Sequence, residues 1–168
     1  MRRFIISGLA LILTGATGCA SLVTPADPLE PLKMALTEPA PSLEARAARG
    51  ENAAEYAVSF LARFGVRGVP HDEARADRLR AGAATPTTLM ITQYIPAIGG
   101  GTGRTSIIPV TQPGLSRGQM DLMDLCGLAA LAGVERMGRE MCSPEGWDRI
   151  APLARQVVAD NAASTPLP

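Results

Sequence analysis

The side chains able to do chemistry are few and scattered. His71 is the sole histidine; it lies in a turn beside Asp72, which is placed to cap a helix. A base at His71 would need a nucleophile, and no serine or cysteine sits in a Gly-x-Ser-x-Gly elbow or a reactive-cysteine context. Carboxylates occur in pairs, Asp121 with Asp124 and Asp72 with Glu73. The first spacing gives one surface of a helix and the second a helix start. The run Gly99-Gly100-Gly101-Thr102-Gly103 could cradle an anion with backbone amides. A Walker loop, however, needs Gly at position 98 and Lys at 104, where this chain has Ile98 and Arg104. These residues supply neither a catalytic set nor a cofactor-binding set, so no enzyme activity is expected.

The remaining chemistry belongs to the three cysteines, Cys19, Cys126 and Cys142. Arg2 and Arg3 precede an apolar run from Phe4 to Leu13, which is about half the length a helix needs to cross a bilayer, so residues 1–18 are expected to be a cleaved export signal. Ala16-Thr17-Gly18-Cys19 resembles the bacterial lipobox, with Ala16 standing where leucine is usual. That resemblance implies cleavage before Cys19 and diacylation of its thiol. With Ala20 following rather than aspartate, it also implies residence at the outer membrane, on its periplasmic side. Two acyl chains would make the membrane attachment stable.

With Cys19 lipidated, Cys126 and Cys142 remain as a pair, and an oxidising periplasm favours a disulfide between them. One straight helix would hold them about 24 Å apart, whereas bridged Cα atoms lie within about 7 Å, so the helix must end in between, at Gly133. One histidine and cysteines so committed leave no zinc-ligand set.

The formal charge of the 168 residues is balanced, and loss of Arg2 and Arg3 leaves the mature chain slightly acidic. No basic patch points to nucleic acid. About 150 residues beyond the signal suffice for one compact domain. Pro25, Pro28, Pro31, Pro39 and Pro41 make residues 19–41 an expected extended tether. The domain is expected over 42–164, with residues 165–168 loose.

The fold class expected is α+β and mostly helical. Ser42 can cap a helix that is interrupted at Gly50; Ala54, Val58 and Leu61 then recur at helical spacing, with Tyr56, Phe60 and Phe64 adding bulk. After the turn Gly65–Pro70, Asp72 can cap a helix bearing Ala76, Leu79 and Ala83. Residues 87–111 alternate as strands: Thr87 to Ile95, then Arg104 to Val110, with Pro109 marking an edge and a glycine-rich tip between them. Ser116-x-x-Gln119 is a capping box with Leu115 and Met120 as staple. It opens a helical pair over 116–162. The first helix carries Leu122, Leu125, Cys126 and Ala129 on its apolar face. The last, begun by Ser143-Pro144, carries Trp147, Ile150, Ala154 and Val157, with Pro152 expected to kink or split it.

Residues 45–84 resemble one Sel-one-like repeat, a relative of the tetratricopeptide repeats. Ala54, Tyr56 and Val58 match its first helix, Gly68-Val69 its turn, Asp72 its cap, and Ala76, Leu79 and Ala83-Ala84 its second helix. Ser59 and Ala62 depart from the pattern, and the turn is one residue longer. The resemblance implies a helical hairpin used for protein binding, with Tyr56, Phe60 and Phe64 as candidate contact residues. A lone hairpin leaves an apolar face open, since such repeats normally stack about three deep. The resulting expectation is a periplasmic lipoprotein that binds or scaffolds another envelope protein. The alternatives are an envelope hydrolase using His71 or the carboxylates, and a structural subunit of an envelope or secretion assembly.

Overall fold

Prolines fall at the starts of the first two helices, and this decides how the chain enters the body. In the computed structural model, which describes residues 27–96 and 103–164, α1 spans Glu30–Thr37 and α2 spans Ala40–Ala47. Pro31 and Pro41 occupy first turns, where a missing N–H leaves no helical bond unmade. Leu32, Met34, Ala35 and Leu36 of α1 are buried. The segment expected as an extended tether up to residue 41 is therefore helical from Glu30 and part of the core, and α2 is preceded by Pro39 at its cap position rather than by Ser42.

The central helix is α3 (Asn52–Phe64), followed by α4 (Glu73–Ala83). Gly65 ends α3 in the left-handed conformation, and the Asp72 side chain accepts from the Arg75 N–H at 2.8 Å to begin α4. Packing on α3 comes from α1, α2 and α4. On a further side α5 (Arg117–Ala132) reaches it through Gly127, where a Cβ would fall 2.4 Å from the Phe60 ring and 3.0 Å from Leu32. The apolar face of the α3–α4 hairpin is thus covered by the chain's own helices.

Helix α5 opens on the Ser116–Gln119 capping box and stops at Gly133, which is left-handed. Its buried residues are Met120, Met123, Cys126, Gly127, Ala129 and Ala130, so Cys126 and Ala129 lie inside as expected. Leu122 and Leu125, expected on the inner face, are instead half exposed. A helix not expected from sequence, α6 (Glu135–Cys142), follows, so the C-terminal part has three helices rather than two. Cys126 and Cys142 are bridged with their Cα atoms 5.2 Å apart, tying α5 to the end of α6. Helix α7 (Pro144–Ser164) runs on through Pro152 without splitting. Trp147 packs where Gly138 leaves room for its ring.

Two strands, β1 (Thr87–Ile95) and β2 (Arg104–Gln112), lie between α4 and α5 and pair antiparallel from Thr87 opposite Gln112 to Ile95 opposite Arg104. The expected glycine-rich tip falls largely on 97–102, and Cys19, the signal segment and the C-terminal 165–168 also lie outside the described residues. Among the described residues no helix is long and apolar enough to cross a membrane.

Candidate functional site

The two strands leave the helical body and return to it at one point. The Leu115 N–H donates to the Ala83 carbonyl at 2.8 Å, joining the end of α4 to the approach of α5. Gly114 crosses so close to Ala84 that a Cβ would lie 2.1 Å from its carbonyl oxygen. Asn52, at the start of α3 and almost wholly buried, holds both feet. Its Nδ2 donates to the Thr85 carbonyl at 3.1 Å and the Pro113 carbonyl at 3.4 Å, and its Oδ1 accepts from the Thr87 hydroxyl at 3.0 Å.

Beyond the feet the strands pack on each other and neither lies along a helix. A two-stranded ribbon is marginal alone in water, and among the threonines and glutamines it shows to water stand several large apolar side chains. Met90 is 67% exposed, Tyr94 66% and Ile107 63%, with Ile91 and Val110 also open. The register puts Met90, Tyr94, Ile107 and Pro109 on one face and Ile91, Ile108 and Val110 on the other. Arg104 is the only charged residue in either strand. Leu122, Leu125, Leu128, Val134 and Val158 of the helical body are exposed too, but to a lesser degree than Met90, Tyr94 and Ile107, and exposed apolar side chains on a projecting element suit it to contact.

The residues singled out from sequence sit elsewhere. Tyr56 and Phe60 are fully buried and Phe64 is half-buried against Phe60, ring centroids 4.7 Å apart. These three are core, because α1 and α5 close over α3, and they form no contact face. The Tyr56 hydroxyl donates to Asp124 at 3.0 Å. Arg80 of α4 grips both Asp124 and Asp121. The carboxylate pair is thereby a cross-link between α3, α4 and α5, with Asp124 itself largely enclosed. Burial, and then the Asp124 charge, push the Tyr56 hydroxyl well above its ordinary value of 10.0.

No family model, curated protein or solved structure matches the chain.

His71 is exposed, and its Nδ1 donates to the Arg63 carbonyl at 2.7 Å. It lines neither the depression of about 310 Å³ beside Arg139, Trp147 and Asp148 nor that of about 410 Å³ beside Arg49, Glu51 and Gln112. Among the described residues no group of three or more His, Cys, Asp or Glu is arranged to hold a metal ion. The ribbon is the site that sequence reasoning passed over. Its signal was present: the residues alternate as strands, yet Arg104 is the single charge on either face, whereas a solvated sheet face is usually polar and charged.

Proposed function

We propose that this chain is an exported lipoprotein, attached through Cys19 to the outer membrane on its periplasmic side, whose helical body presents the β1–β2 ribbon to another envelope protein. The observation that carries the binding role is the ribbon itself: it shows apolar side chains among threonines and glutamines on both faces, has a single charge, is clamped at its feet and is covered by no helix among the described residues. The anchor rests on the lipobox resemblance around Cys19, and the exposed ribbon replaces the buried Tyr56–Phe64 face as the contact surface. A scaffolding role needs a rigid base and an adhesive surface, and the disulfide-tied helical body and the ribbon have these properties.

Photo-crosslinking from Ile107 or Val110 in intact cells tests the binding role, with a discrete protein adduct expected. Absence of any adduct from both positions overturns it. The anchor is tested separately by Cys19→Ser, which should release the folded domain from membranes; a variant that stays membrane-bound after normal processing overturns the anchor.

A further inference from the structure

The ribbon's two edges differ. β2 contains Pro109 opposite Met90, and a proline leaves the ladder unbroken only where its nitrogen points away from the neighbouring strand. Pro109 therefore blunts the outer edge of β2. The same parity turns the backbone groups of Thr88, Met90, Thr92 and Tyr94 outward on β1. That outer edge carries no proline and no charge along its whole length, none of the devices by which exposed edges are normally protected. A lipid bilayer is a poor cover for it, because hydrocarbon would leave those N–H and C=O groups unpaired. Water pairs them in the single chain, and another strand can take its place with the groups still satisfied.

We infer that the occupant of this edge is β1 of a second copy of the chain, paired antiparallel across a two-fold axis at Ile91 to give a four-stranded sheet in the order β2-β1-β1-β2. This rests on the ribbon being the contact arm. Only one antiparallel register overlaps the whole of Thr87–Ile95, the one that sets Ile91 opposite itself. In that register Met90 faces Thr92 of the second copy and Thr88 faces Tyr94 of the second copy. Both are pairs of residues whose backbone groups point outward, as a hydrogen-bonded pair requires. Ile91 becomes a close, non-hydrogen-bonded pair with its own copy, covering a side chain that is 46% exposed in the single chain. With no charge in β1, the two-fold brings no like charges together. Antiparallel pairing sets the root of one arm beside the tip of the other. The helical bodies then stand at opposite ends of a sheet about 30 Å long. Pro109 of each copy closes the outer edges, so growth stops at two chains.

The test uses the full processed protein extracted from membranes in detergent. Ile91→Cys, oxidised without added reductant, is expected to run as a disulfide-linked dimer, whereas Ile107→Cys on the outer strand stays monomeric. Thr92→Pro removes an outward N–H while sparing the β1–β2 ladder, and is expected to convert dimer to monomer in sedimentation. Failure of Ile91→Cys to link, in protein whose Cys126–Cys142 bridge still resists alkylation, overturns the pairing. Equal linking by Ile107→Cys overturns it in favour of unspecific apolar clustering. A monomer whose fluorophore at Met90 shifts to the blue with phosphatidylethanolamine–phosphatidylglycerol vesicles overturns it in favour of a membrane surface. Adducts to another protein from Ile107 without any dimer overturn the pairing while leaving the binding role standing, so the two fail separately.

Discussion

Gly127 of α5 offers bare backbone to the Phe60 ring of α3, and Leu32 of α1 closes on the same spot, so three helices meet where one side chain is missing. This close approach lies in the part of the core that turns an otherwise open helical hairpin into a self-covered body.

Gly127→Ala should therefore destabilise the domain although alanine favours helix. The added methyl would lie 2.4 Å from the ring, and overpacking of this kind costs about 1–3 kcal/mol. Thermal denaturation should show a lowered Tm, and Phe60→Leu in the same chain should recover part of the loss. An unchanged Tm for the single variant would contradict this contact.

Tyr56→Phe removes the hydroxyl that donates to Asp124. The folded state holds the phenol protonated well above 10.0, while the unfolded chain releases its proton near that value. The unfolded state then binds fewer protons than the folded one, so the native protein should lose stability as pH rises from about 10. The phenylalanine variant should be about 1–2 kcal/mol less stable near neutrality and show a shallower alkaline decline. Urea melts from pH 8 upward would measure both, and parallel pH curves would count against the assignment.

Asn52→Ala should loosen the arm more than the body. It takes away the amide that bonds the Thr85 and Pro113 carbonyls and the oxygen that receives Thr87. Leaving buried polar groups unpaired costs about 1–3 kcal/mol. Hydrogen exchange should quicken at Thr87 and Gln112, with α5 and α7 little changed; uniform quickening would mean that the amide supports the whole fold.

Because the feet touch at Ala84 and Gly114, replacing residues 86–113 with two glycines should leave the helical body intact. The expected outcome is a cooperative melt with a helical circular dichroism spectrum and no adducts or dimer. Loss of cooperative folding would mean that the arm supports the body and is not a separable projection.

The Cys126–Cys142 bridge closes a loop with a sequence separation of 16, for which chain-entropy reasoning gives about 3 kcal/mol. Replacing both cysteines with alanine should lower stability by up to that amount, and native protein should resist alkylation until reduced.

What was legible in the sequence was local. The Ser116–Gln119 box, the Asp72 cap, the Gly133 stop and the strand alternation all obey rules contained within a few residues, and the structure follows them. The bridge needed only cysteine arithmetic. Helix α1 was missed because prolines were weighed as breakers and not by their position in a first turn. Helix α6 was missed because its eight residues fit between a glycine stop and a proline start. On α5 two apolar stripes competed, and the one with Gly127 and Ala130 lies inside because small residues admit a neighbouring helix closely, leaving Leu122 and Leu125 outside. The fate of Tyr56 and Phe60 depended on α1 and α5, which are distant in sequence, so no reading of the hairpin alone could place them.

Arg67 adopts the left-handed conformation at φ 57° in the turn after α3, and its guanidinium donates to the Ala35 carbonyl at 3.0 Å and the Glu38 carbonyl at 2.7 Å, gripping the end of α1. Its own backbone N–H donates to the Asn161 side chain of α7 at 3.1 Å, while Asp27 at the other end of α1 pairs with Arg149 of the same helix. A pull on the chain ahead of Asp27 is thus met by α7 at both ends of α1. Tension on that segment is spread through α7 and the disulfide-tied end of the body before it can peel α1 from α3, so this entry to the helical body is built to bear load.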